Sequence, residues 1–310
     1  MTTPASAPAQ RTLLGSGKPS GTAGLNALMR AVDHRLPAAR RLADDPYAQL
    51  FARRAPRYKY YAASPLTARL ALGAFDKVFG GFLAEILLRV RYLDAALAEA
   101  YRSGVRQLVL VGAGYDSTAL RHRHLSGLRV FEVDHPATQG AKRKVFAAAK
   151  VEVPAVTYLP VDLESASLAK VLPGAGFDPG QPALFGWLGV SYYLRRASFD
   201  RALADLASLC TPGSRVVWDY LDPSVVDGTT RYRSARFAAR VVAKRGEPYV
   251  LGLTPARAAD AAARAGFRTV ESLRVPDLVR RHGGRRPYVA AADFMGLATV
   301  QKLPPADSGE

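Results

Sequence analysis

The sequence predicts an α/β protein built on a doubly wound, mostly parallel sheet. Three observations carry that expectation. Strand-like and helix-like segments alternate five times from residue 106 onward. The first of these strands breaks into a Gly-x-Gly turn. The last two strand-like segments are joined by a connection too short for a right-handed parallel crossover, so the final strand is expected to be antiparallel.

Residues 1–20 are rich in Ala, Pro, Ser, Thr and Gly and read as a disordered tail without the apolar stretch of a signal peptide. Residues 21–104 read as an N-terminal helical cap. There "TAGLNALMRAVDHRL", "ADDPYAQLFARR" and one long segment from "SPLTARLAL" to "AEAYRSG" space their apolar residues closer to 3.6 than to 2. Residues 105–310 read as the core. "QLVLVGAG" is a continuous apolar run of the kind buried in a parallel sheet, and "STALRHRHL" follows it as a helix. "RVFEVD", "VTYLPVDL", "PALFGWLGVSYYL" and "SRVVWDYL" are the next strands, with helices between them. An insertion at about 222–253 reads as a lid; a helix "TPARAADAAARAG", a strand "FRTVESLRV", a basic connection and the last strand "DFMGLATVQK" close the chain.

Composition narrows the function. At 310 residues and 49% hydrophobic, the chain is long enough for an enzyme-sized core. No run of about 18 apolar residues is free of charge, so no bilayer span is expected and a soluble, cytoplasmic protein is. Cys210 has no second thiol to pair with, and the five histidines show no ligand spacing beyond His122 and His124; no metal is expected. The formal charge of +17 is dispersed over several Arg-rich segments without a nucleic-acid module, so it reads as a solvated basic surface that attracts an anionic small molecule rather than nucleic acid.

The turn Gly112-Ala113-Gly114 would bring backbone close to a ligand at the start of a helix. A third glycine would complete the dinucleotide fingerprint, and Ser117 stands there instead. Asp134 closes the second strand 20 residues after Gly114, where a carboxylate can accept both hydroxyl hydrogens of a ribose; the spacing suits NAD(P) and S-adenosylmethionine (SAM) alike. Asp162 ends the third strand and is followed by Leu163, a pair suited to an adenine amino group and ring, although Asp162 could instead only cap the next helix. The helical residues ahead of the turn and the antiparallel last strand favour SAM over a nicotinamide cofactor. An NAD(P)-dependent oxidoreductase and a SAM-binding relative without turnover remain the alternatives.

"LADDPYAQLF", "LLRVRYLDAAL", "VRQLVLVGAGYDSTALR", "VFEVDHP", "YLPVDL", "GWLGVSYYL" and "TPGSRVVWDYL", in this order, resemble the leucine carboxyl methyltransferase family, and within it a bacterial branch of SAM-dependent O-methyltransferases. The resemblance implies a class I methyltransferase (Rossmann-like) sheet of seven strands. It also implies that Gly112 underlies the methionine part of SAM, that Asp134 binds the ribose, and that Asp162 and Leu163 hold the adenine. An arginine of "LLRVRYLD" would pair with the cofactor carboxylate, with Arg89 preferred to Arg91 and Arg30 a minor further contact. Leu188 departs from the family, many members having an acid there.

Methyl transfer is an in-line displacement governed by positioning. The sequence places no His or Glu beside the cofactor motifs as a general base; His135 follows Asp134 but would lie near the ribose. An already ionised carboxylate is therefore the expected acceptor oxygen. "RYKYYAASP" and "RYRSARF" are expected to supply its Arg and Tyr contacts, and Tyr192 and Tyr193, at the exit of the fourth strand, are expected to border its pocket, Tyr193 being the more readily a core anchor.

Overall fold

In the computed structural model, residues 17–283 and 292–303 are described. The expected tail therefore lies outside the described residues up to residue 16, as does part of the basic connection before the last strand.

The cap opens with α1 (Gly21–Asp33), whose first turn is capped by the Ser20 side chain accepting from Ala23 N at 3.0 Å. Two short helices, α2 (Ala48–Ala52) and α3 (Tyr58–Tyr61), lead to α4 (Pro65–Phe79) and α5 (Phe82–Arg102). The single helical segment expected here is broken at Gly80-Gly81. Gly81 has φ of +92°, and a Cβ on it would lie 2.6 Å from Ala292 Cβ and 2.9 Å from the Phe294 ring. The break is thus made by a left-handed residue squeezed against the segment just before the last strand.

The core alternates as expected: β1 (Gln107–Val111), α6 (Thr118–Arg121), β2 (Arg129–Asp134), α7 (Pro136–Ala148), β3 (Val156–Pro160), α8 (Leu168–Gly174), β4 (Ala183–Trp187), α9 (Arg196–Leu209) and β5 (Arg215–Leu221). The helix after β1 is a single turn, shorter than its sequence suggests. Arg121 and His122 at its end turn aside to Asp94 of α5, at 2.8 and 2.9 Å. The insertion carries α10 (Pro223–Val226) and α11 (Arg233–Lys244), and α12 (Pro255–Arg264), β6 (Phe267–Arg274), α13 (Val275–Leu278) and β7 (Met295–Lys302) complete the order.

The seven strands are arranged β3-β2-β1-β4-β5-β7-β6, with every pair parallel except those made by β7. The final strand is antiparallel and sits between β5 and β6. Each strand sends alternate residues to opposite faces: Leu108 and Leu110 of β1 join the core under the helical cap, whereas Val109 and Val111 join the core under α8, α9 and α12. The order reverses between β1 and β4, which opens a crevice at their carboxyl ends, the place where open α/β sheets take ligands.

Candidate active site

A cavity of about 1150 Å³ occupies that crevice. Its floor is the turn after β1. Gly112, at φ +69°, donates its N–H to Val133 O at 2.7 Å, and a Cβ there would stand 2.2 Å from Val190 Cγ2. Only glycine lets the turn pass under the exit loop of β4. Ala113 and Gly114 continue the floor.

Asp134, half-buried at the end of β2, lines the cavity. It steadies the turn itself: one oxygen accepts from Gly114 N and the other from His135 N at 2.6 Å. Burial, the largest influence, pushes its carboxyl above the usual range against the pull of these two N–H groups. His135 also lines the cavity and caps α7, its Nδ1 accepting from Ala137 N at 3.3 Å. Asp162 and Leu163 lie on the same wall. Asp162 Oδ1 accepts from Glu164 N at 2.9 Å in a local turn, while the following helix starts behind Ser167, so the carboxylate is not that helix's cap.

Arg89, buried on α5, reaches the cavity beside Gly189. Its Nη1 donates to Glu85 Oε1 at 2.8 Å and to Asp219 Oδ2 at 3.2 Å, and Asp219 Oδ2 also accepts from Gly189 N at 2.6 Å. Arg91, two residues on, points the other way, as a 200° rotation along a helix requires: it is exposed and does not line the cavity. Arg30 does line it, but its Nε is committed to buried Asp45 at 2.9 Å and its Nη2 to Tyr115 O at 2.6 Å. Asp45 likewise holds Ser117 Oγ at 2.5 Å, so the position of a third fingerprint glycine is spent on fastening the cap to the turn. Burial alone would raise the Asp45 carboxyl; Arg121 and Arg30 together bring it below its ordinary value.

Both tyrosines are expected at the pocket, and one of them lines the cavity. Tyr193 lines the cavity, whereas Tyr192 lies behind it, packed on Tyr249 with ring centroids 5.3 Å apart, and its carbonyl accepts from Val250 N at 2.9 Å. Neither "RYKYYAASP" nor "RYRSARF" contributes to the cavity lining. The insertion meets the cavity through its far end instead, with Ala243, Arg245, Gly246, Glu247 and Pro248, opposite Lys18, Pro19 and Ser20 from the end of the expected tail. Glu247 is the residue that sequence reasoning missed most directly. It lies far from every cofactor motif, yet its Oε2 accepts from Thr22 N at 3.1 Å and from Thr22 Oγ1, at the first turn of α1. A carboxylate at a helix N-terminus is a favourable pairing. Glu85 and Asp219 did leave a signal, since each is an acid inside an otherwise apolar run.

The donor set therefore comprises two carboxylates at neighbouring strand ends, an apolar side chain beside the second, a main-chain turn and a guanidinium. That chemistry fits a nucleoside joined to an amino acid: a diol, an amino-purine and a carboxylate.

The sequence profile of leucine carboxyl methyltransferase matches residues 23–207. The chain belongs to this family. It is 35% identical over 225 residues to a protein of Parafrankia sp. (strain EAN1pec), "Putative S-adenosyl-L-methionine-dependent methyltransferase Franean1_4929", covering 68% of this chain and 69% of that one. It is 33% identical over 164 residues to the similarly named YktD of Bacillus subtilis (strain 168), a match over 52% of this chain and 54% of YktD, about half of that relative's length. Among solved structures, that of a DUF574-family protein from Streptomyces avermitilis superposes with a TM-score of 0.57 at 17% identity, over 89% of this chain and 97% of that one. The fold is that of the class I methyltransferases.

Proposed function

We propose that this family member is a SAM-dependent O-methyltransferase that esterifies a carboxylate of a small acidic metabolite or a peptide C-terminus. The observation that carries the reading is the convergence on one cavity of the Gly112–Gly114 turn, Asp134, Asp162, Leu163 and Arg89, contributed by four separate stretches of chain. In this reading Asp134 holds the ribose hydroxyls, Asp162 and Leu163 the adenine, and Arg89 the cofactor carboxylate through charge-assisted hydrogen bonds. SAM supplies an electrophilic methyl group. The protein's part is to hold an acceptor oxygen about 3 Å from that carbon, in line with the leaving sulfur, and to keep water out. A carboxylate needs no base, and the family's own description supports such an acceptor.

One observation favours a second reading. Glu247 stands in the cavity with Tyr193 and could take a proton from a hydroxyl acceptor. The two readings separate by product: a methyl ester releases labelled methanol in mild alkali, and a methyl ether does not. Cofactor binding is tested first, by calorimetry. Wild type should bind SAM with on the order of −7 to −8 kcal/mol. Asp134→Ala should lose roughly 2 kcal/mol, the consequence of an unmet charge-assisted hydrogen bond. Equal affinities would remove the ribose role from Asp134.

A further inference from the structure

We propose that Asp219 is a positioning residue held as the neutral carboxylic acid, its proton donated to Glu85, so that Arg89 can receive a third carboxylate. This rests on the cofactor role proposed for Arg89. The geometry is specific. Glu85 Oε1 and Asp219 Oδ2 accept from the same guanidinium nitrogen, at 2.8 and 3.2 Å, and both side chains are almost wholly excluded from water. Asp219 Oδ2 is also occupied by Gly189 N, which ties Arg89 to the exit loop of β4. Its Oδ1 is buried and meets no hydrogen-bond partner among the described residues, while Glu85, a second buried acid, shares the same guanidinium nitrogen. Two buried acids on one guanidinium carry one negative charge too many for it, which a proton on one of them removes.

The charge count leads to the same assignment. With both acids ionised, the cluster around Arg89 would be anionic and would repel a carboxylate arriving from the cavity. With one proton it is neutral, and the remaining guanidinium N–H groups can serve the cavity. The other ionisable groups facing this cluster are the hydroxyls of Tyr192 and Tyr193 from the β4 exit loop, and Tyr249 and Glu247 from the insertion. None is a cation that would replace the proton. Burial first, and the Glu85 charge second, push the Asp219 carboxyl well above the usual range against the attraction of Arg89.

Asp219→Asn is the decisive variant, because an amide reproduces the neutral acid: its oxygen accepts from Gly189 and Arg89, and its NH₂ donates to Glu85. Wild type at pH 7 should show the infrared carbonyl band of a buried protonated carboxylic acid, absent from Asp219→Asn. The variant should bind SAM within about threefold of wild type by calorimetry, whereas Asp219→Ala, with folding checked by circular dichroism, should bind at least tenfold more weakly, one decade being about 1.4 kcal/mol. Absence of the band overturns the proposal, and so does a tenfold loss in Asp219→Asn. If wild type fails to bind SAM, the cofactor reading falls, while the infrared band still decides whether Asp219 holds the proton.

Discussion

At the scale of single residues, this protein buries charge repeatedly and answers it locally. Glu132, in the middle of β2, and Lys142, on α7, are 2% and 1% exposed and meet at 2.7 Å. Burial, ahead of every other influence, raises the Glu132 carboxyl, and the nearby ammonium opposes that shift. Breaking such a pair leaves an uncompensated charge in the interior. Lys142→Met should cost about 3–5 kcal/mol, read from the shift of a urea unfolding midpoint. Because the folded carboxyl is already raised, the folded state of the variant holds its proton where the unfolded state has lost it. Wild type shares the first part of this loss, so the variant's deficit relative to it should grow as pH rises past the raised folded value of wild type and level off below it. A deficit independent of pH would mean that Glu132 is not left as a lone acid. Asp219 obeys the same sign: replacing it with Asn should improve stability relative to wild type as pH rises.

At the scale of elements, the cavity is roofed by two segments distant in sequence, the first turn of α1 and the end of the insertion after α11. Glu247 links them through both the N–H and the hydroxyl of Thr22, and a Cβ on Gly21 would lie 3.7 Å from Arg245. This contact joins the two segments directly, so its strength should set how readily the roof opens. Glu247→Ala should raise amide exchange at least tenfold in residues 21–25 and 243–250 while leaving β1, β4 and β5 protected, as measured by hydrogen-exchange mass spectrometry. Unchanged exchange in both segments would show that packing alone holds the roof.

At the scale of the whole molecule, the charge excess lies outside the cavity. The chain carries +17, yet the cavity lining sets Lys18, Arg30, Arg89 and Arg245 against Asp116, Asp134, Asp162 and Glu247. Among the described residues, no helix is long and apolar enough to cross a membrane, and Arg53, Arg54, Arg57, Lys59, Arg91, Arg264 and Arg268 are exposed on the surface. Long-range attraction from such a surface is screened within about 8–10 Å at ordinary salt, whereas contacts inside a closed cavity are not. SAM affinity should therefore change less than about threefold between 50 and 500 mM NaCl, while retention on an immobilised polyanion should be lost. A steep salt dependence of SAM binding would place the cofactor on the surface instead.

The strands β1, β4 and β5 were legible because each is a short apolar run bounded by turn residues, a pattern that burial on both faces of the sheet imposes directly. Gly112, Asp134 and Asp162 were legible for a related reason: local backbone geometry fixes what a strand's end can present. The break at Gly81 was not, because it depends on Ala292 and Phe294, about two hundred residues away. Nor was the choice between Tyr192 and Tyr193, adjacent residues on a one-turn 3₁₀ segment that both pack against Tyr249, so that only the tertiary fold decides which of them faces the cavity.

By itself, the sequence determined the alternation of elements, the antiparallel last strand and the acids at neighbouring strand ends, since all three follow from periodicity and chain connectivity over a few residues. Tertiary structure alone decided which side chains share the cavity. Bringing Glu247 to Thr22, or Asp219 and Glu85 to one nitrogen of Arg89, depends on contacts across 225 and 130 positions. Such contacts leave no period in the chain; they exist because buried charges must find partners wherever the fold places them.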